Sequence, residues 1–221
     1  FCAFEMGAFY LDILKDRLYT TGRDSALRRS AQTAMYHVLE AMVRWVAPVL
    51  SFTAEEIHQH VPGERGTSIF FETWYEGLFE MDNAEAERLR WQWVMKVREE
   101  VSKAIEIVRR DGKAGSSLAV EVDLWLDDPL RQAIDSLGDE VRFVMLTSEA
   151  RVAGMEQAPE QAQRVRLDEG EIALLVSPSE HDKCVRCWHY RADVGSDPRH
   201  PELCSRCVEN VDGAGETRRV A

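Results

Sequence analysis

Four of the five cysteines in the chain fall in one stretch, KCVRCWHYRADVGSDPRHPELCSRC, which starts at Lys183. They form two C-x2-C pairs, Cys184 with Cys187 and Cys204 with Cys207, and sixteen residues separate the pairs. Each pair makes a tight turn that aims two sulfurs at one point. A loop of this length brings the second pair back to complete a tetrahedron. Four thiolates close the shell of one Zn2+ and leave no position for water, so the metal expected here is structural rather than catalytic. A rubredoxin-like iron site uses the same ligands, and two separate redox motifs would not need a partner pair at this spacing. A module of about 40 residues has too small a core to fold unaided, and metal binding supplies the missing free energy.

Around the ligands stand Lys183, Arg186, Trp188, His189, Tyr190, Arg191 and Arg206. Basic groups contact phosphates, and aromatic faces stack on unpaired bases. Trp188 directly follows an expected ligand, so the metal would fix its backbone between Arg186 and Arg191. The alternative is that Trp188 and Tyr190 pack over the metal as a small core. His189 and His200 are further metal-binding types, but four thiolates already fill the shell. Cys2 lies far away on an apolar helix face and reads as a small buried hydrophobe.

The elements that must position this module read as mainly α with a smaller α+β part. Residues 4–19 predict a helix with Met6, Phe9, Tyr10, Ile13 and Leu14 on one face. Thr20-Thr21-Gly22 breaks it, and Asp24 or Ser25 caps the next, whose apolar face runs Leu27, Ala31, Ala34, Val38, Met42, Trp45 and Val49. Pro48 kinks or ends that helix. A capping box from Thr53 to Glu56 starts a short helix that stops near Pro62-Gly63. Three helices at such spacing suggest an antiparallel bundle. An extended segment, IFFETWYEG, precedes a long helix lined by Leu89, Trp93, Val97, Val101, Ala104, Ile105 and Val108, with Gly112 just past its end.

The period then changes to two: Leu118, Val120, Val122, Leu124 and Leu126 alternate as in a strand. Residues 129–137 predict a short helix, 141–153 a helix and then a strand, and VRL and IALLV a hairpin around Asp168-Glu169-Gly170. The expected units are a helical domain at 1–112, a small α/β junction at 113–179 and the cysteine module at 180–221. Arg17, Arg23, Arg28 and Arg29 cluster where the first helix meets the second, either as a solvated basic face or as contacts for phosphates.

The formal net charge is −12, which argues against a nucleic-acid partner on its face. The acids are concentrated, however: residues 61–180 hold 25 Asp and Glu against 14 Lys and Arg, and both ends are nearly balanced. An anionic ligand is therefore tolerated at the ends and repelled by the middle. No apolar run approaches the roughly 20 residues that span a bilayer. The first residues lack the basic start of a signal peptide and open inside an apolar-periodic segment, as in a piece of a longer protein. Unpaired C-x2-C motifs suit a reducing cytoplasm.

The segment KCVRCWHY…LCSRC, followed by a basic tail with Arg218 and Arg219, resembles the C-terminal zinc module of bacterial isoleucyl-tRNA synthetases, a class I aminoacyl-tRNA synthetase family. YLDILKDRLYT, SAQTAMYHVLEAMVRWVAPVLSFTAEEI and KAGSSL are also similar to that family, in order. The resemblance implies a helical domain that binds the anticodon stem, a small junction and a zinc module. It implies ATP- and Mg2+-dependent attachment of isoleucine to tRNA by the parent enzyme, a cytoplasmic monomer. The HIGH-like and KMSKS-like signatures of nucleotide binding do not occur in this sequence. The implied share of the chain is therefore non-catalytic: it holds the tRNA while the catalytic core, its partner, does the chemistry. In this reading Trp188 stacks on an anticodon base, and Arg17, Arg23, Arg28 and Arg29 face phosphates. Two other readings remain. One is a fragment of a formamidopyrimidine-type DNA glycosylase, whose zinc finger has similar cysteine spacing. The other is an interaction scaffold that zinc staples together.

Overall fold

The computed structural model describes residues 1–220. The chain starts in a wide, π-type helical segment, Cys2–Tyr10, which runs directly into α1, Leu11–Thr20. None of the side chains of the π-type segment is buried, and Cys2 is exposed rather than buried as expected. Helix α2, Ala26–Val46, is capped by Ser25, whose hydroxyl accepts from the Arg28 N–H at 3.2 Å. It ends before Pro48. Helix α3, Ser51–His60, starts before the expected capping box. Glu55, next to the expected Glu56, accepts from the Ser68 hydroxyl at 2.8 Å and the Ile69 N–H at 3.0 Å, and so pins the following segment.

The buried face of α2 differs from the expected one. Ala31, Ala41 and Val43 are buried, with Ala47 just past the helix end, whereas Trp45 and Val49 are exposed. Glu40 lies on the buried side and is 3% exposed. Arg65 pairs with it, as does Arg44 at 2.5 Å, and Arg44 also donates to the Thr73 carbonyl at 2.9 Å and bonds Glu72 at 3.0 Å. A buried ionic knot thus ties residues 61–75 to α2. Hydrophobic periodicity could not show this, because the residues that fix the face are charged. Beyond the short turn Ile69–Phe71, the extended segment expected from IFFETWYEG pairs with no strand among the described residues.

Helix α4, Ala84–Arg110, carries the stripe Val94, Val97, Val101, Ala104 and Ile105, all buried. Gly112, at φ 72°, ends it, with the Gly112 N–H bonded to the Arg109 carbonyl at 2.9 Å and the Lys113 N–H to the Val108 carbonyl at 3.1 Å. This stripe packs on the sheet and not on α1–α3. Residue 112 therefore marks the end of a helix but no break in packing.

A four-stranded sheet forms the centre, from β1 (Val120–Leu126), β2 (Glu149–Gly154), β3 (Gln163–Leu167) and β4 (Gly170–Pro178), in the order β2-β1-β4-β3. β1 runs parallel to β2 and antiparallel to β4, and β3–β4 is the expected hairpin. Val120, Val122, Leu124 and Leu126 face the core in strict alternation, while Leu118 falls outside the strand in the turn Ser117–Ala119. Helices α5 (Leu130–Asp135) and α6 (Val141–Met145) connect β1 to β2. The cysteine module follows, with β5 (Asp182–Lys183), β6 (Tyr190–Arg191) and α7 (Ser205–Asp212). Among the described residues no helix is long and apolar enough to cross a membrane.

Candidate metal centre and nucleic-acid interface

The sulfurs of Cys184, Cys187, Cys204 and Cys207 lie within 4.8 Å of one another, and all four residues are buried. Cys187 Sγ and Cys204 Sγ are 3.7 Å apart. A tetrahedron with Zn–S arms of about 2.3 Å has edges of about 3.8 Å, so the spacing fits a zinc-sized ion. None of the cysteines is in a disulfide. The first pair sits in a knuckle closed by the Trp188 N–H on the Cys184 carbonyl and the Cys184 N–H on the His189 carbonyl, each at 2.9 Å. Helix α7 begins directly after Cys204 and carries Cys207. Hydrogen bonds from Cys187, Cys204 and Cys207 pull the Cys184 thiol far below its ordinary range, and the same crowding pushes Cys207 up. Four thiolates this close repel one another without help. A dication is the group that lets all four ionise.

Asp16 on α1 seats this module. Its carboxylate accepts from Arg206 of α7, Nη1 at 2.7 Å and Nη2 at 2.9 Å, and from Arg218 of the C-terminal tail. Glu216 accepts from Arg206 at 3.1 Å and from Arg218 Nε at 2.9 Å. The Phe143 ring lies against the guanidinium of Arg218, 3.8 Å from its centroid, with Arg142 at 4.5 Å and Arg206 at 5.1 Å. His189 packs edge-on to the same ring at 5.6 Å. Burial alone would raise the Asp16 pKa, but the two arginines hold it well below the usual carboxylate range. Burial lowers the His189 pKa to about 3, so the imidazole is neutral. Further ties run outward. Arg186 donates to the Thr20 carbonyl at the end of α1 at 3.2 Å, where helix dipoles concentrate negative charge. Arg191 donates to the Ser148 carbonyl at 3.2 Å and pairs with Glu149, and the Tyr190 N–H bonds the Ser148 hydroxyl at 2.6 Å.

These contacts set the exposure of the residues expected to meet tRNA. Arg17, His189 and Arg218 are buried and Arg206 nearly so; for Arg206 and Arg218 the carboxylates of Asp16 and Glu216 fill the guanidinium fork and offset its removal from water. Lys183, Arg186, Trp188, Arg219, Arg23 and Arg29 lie on the surface, and Arg28, Tyr190 and Arg191 are half-buried. Arg29 bonds Asp24 at 3.2 Å and Gln32 at 2.8 Å. Trp188 is 61% exposed, with the Lys183 ammonium 5.2 Å from its ring centre. Its φ of 66° is left-handed, a conformation that costs a residue with a Cβ about 1–2 kcal/mol. An aromatic ring is thus held outward where glycine would fit without strain. Sequence reasoning missed Asp16 and Phe143. Asp16 reads as one more acid on the polar face of a helix, and nothing local points to its partners.

The family described as anticodon-binding domain of tRNA ligase matches residues 1–124, more than half of the chain. The chain belongs to that family. A second match, over residues 182–210, is to the zinc finger found in FPG and IleRS, so the cysteine module alone would fit either class. The anticodon-binding match disfavours the glycosylase reading. The chain is 52% identical over 222 residues to an isoleucine–tRNA ligase from Halorhodospira halophila, covering all of the chain and 24% of that relative. It is 54% identical to the isoleucine–tRNA ligase from Nitrosococcus oceani, covering all of the chain and 23% of the relative. The ligase from Methylococcus capsulatus is 53% identical over 99% of the chain and 23% of its own length. The chain spans about a quarter of the length of these relatives.

Proposed function

We propose that this chain is the part of an isoleucine–tRNA ligase that grips the anticodon arm of the isoleucine-accepting tRNA. The observation that carries the reading is that similarity to isoleucine–tRNA ligases runs along the entire chain, from the anticodon-binding helices to the cysteine module. In the complete enzyme, ATP and Mg2+ serve the attachment of isoleucine elsewhere, and this part is non-catalytic. One Zn2+ held by the four cysteines gives the knuckle its rigidity. Trp188 stacks on a base in or next to the anticodon, while Lys183, Arg186, Arg219, the surface arginines Arg23 and Arg29 and the half-buried Arg28 meet phosphates. The division of labour follows residues 1–112, 113–179 and 180–221, with α4 of the first packed on the sheet of the second. The enzyme acts as a cytoplasmic monomer, and its catalytic core covers apolar side chains left exposed here, among them Trp45, Val49, Phe52, Phe71, Trp74 and Phe79.

The test is Trp188→Ala in the complete ligase. Stacking is worth roughly 1–3 kcal/mol per base, so the apparent KM for tRNA should rise about tenfold. Zinc content and isoleucine-dependent pyrophosphate exchange should stay normal, and Trp188→Phe should retain part of the affinity. Normal charging by a zinc-loaded Trp188→Ala enzyme would refute the platform. Loss of zinc would make Trp188 a core residue instead.

A further inference from the structure

Between α1 and the cysteine knuckle lies a cleft of about 470 Å3, a size typical of pockets that take small ligands. Its inner surface is apolar, made by Leu118, Phe143 and Leu146. Two walls rise from it. One is Trp188, on the knuckle. The other is Tyr19, on α1, which is 74% exposed and shares a helix face with Asp12 and Lys15. An exposed tyrosine on a helix is unremarkable alone. Here it lines the same cleft as an indole held outward by a left-handed backbone.

We propose that this cleft takes one unpaired nucleobase of the tRNA, with Tyr19 as a second stacking wall opposite the knuckle. This deepens the reading of the chain as a tRNA-binding part and rests on it. The chemistry favours a base over an apolar peptide. Both walls are aromatic, and cations stand beside them: Arg186 and Lys15, the latter paired with Asp12 at 2.7 Å, line the cleft together with Asp12 and Asp16, whose carboxylate is taken up by Arg206, and Lys183 stands on the Trp188 ring. A base brings a π face for the walls and phosphates on either side for the cations. The walls are also fixed relative to each other before any ligand arrives. Arg206 bonds Asp16, one turn before Tyr19, and Arg186 bonds the Thr20 carbonyl, one residue after it. A slot held in this way loses little freedom when it is filled.

The experiment compares Tyr19→Ala, Tyr19→Phe, Trp188→Ala and the Tyr19→Ala/Trp188→Ala double variant of the complete ligase in equilibrium binding to a transcript of the isoleucine-accepting tRNA. Tyr19→Ala should weaken binding about tenfold and leave the salt dependence unchanged, because no phosphate contact is lost. Tyr19→Phe should bind within about twofold of the wild type. The double variant should bind little worse than either single one, since both walls serve one base. If Trp188→Ala weakens binding and Tyr19→Ala does not, the shared slot is overturned while the tRNA-binding reading stands. If neither weakens binding, that reading falls as well. If Tyr19→Ala impairs isoleucine activation without tRNA, the cleft seats another part of the ligase and the slot is wrong.

Discussion

Asp16 shows how much one side chain decides. Two buried guanidiniums and a neutral imidazole converge on it, from α7, the tail and the knuckle. Removing one partner of a buried ion pair costs about 3–5 kcal/mol, because the other charge is left without compensation. Asp16→Asn should therefore lower the melting temperature markedly and weaken tRNA binding. Zinc content should remain at one per chain, since none of the four cysteines depends on Asp16. Melting curves and metal analysis check this together, and a variant with unchanged melting would show that the seat lies elsewhere. The contrast with the cysteines explains what was legible. Metal ligands declare themselves because two of them must sit three residues apart to aim at one ion. Arg206 meets its carboxylate 190 positions away, and Arg218 meets it 202 away. No local pattern records such a pairing, so both arginines read as free surface charge.

Helices and strands were legible to the extent that apolar packing set them. β1 was readable because Val120, Val122, Leu124 and Leu126 alternate against a core on one face. The α4 stripe was readable as a stripe, but its partner, the sheet, was not. α2 was misread because an ion-paired glutamate occupies its inner face. That element carries its own pH dependence. Burial alone would raise the Glu40 pKa, but Arg65 and Arg44 outweigh it and bring the pKa down from 4.5 to about 2. The folded state therefore binds this proton less readily than the unfolded chain. The stabilisation is complete above about pH 4.5 and is lost as the pH falls towards 2. Denaturant unfolding between pH 5 and pH 3 should show stability falling with pH, and Glu40→Gln should flatten that slope. An equal slope in both proteins would place the titration on other carboxylates.

At the scale of the molecule, two of the three apolar clusters among the described residues are very different cores. The sheet core joins α4, α5, α6, β1 and β4 through apolar side chains. The core of the cysteine module is the four cysteines themselves, with Val194 and Leu203 beside them. Stripping the metal with a chelator should therefore abolish amide protection at residues 182–212. Protection at 120–126 and 172–174 should be largely unchanged. Hydrogen exchange resolved by peptide checks it, and loss of protection in the strands would mean that the two cores melt as one.

The Asp16–Arg218 pair also bears on the order in which the chain folds. The knuckle closes between residues only 20 apart, from Cys184 to Cys204, whereas the seat closes over 202. A loop about ten times longer costs about 2 kcal/mol more in closure entropy. Local contacts therefore form first, and the module docks as a finished piece. The characteristic misfolded species would be a chain with a correctly built zinc knuckle in the wrong place. Metal content would not distinguish it from the native protein, whereas a lowered melting temperature would, because the buried Asp16 pairs are missing.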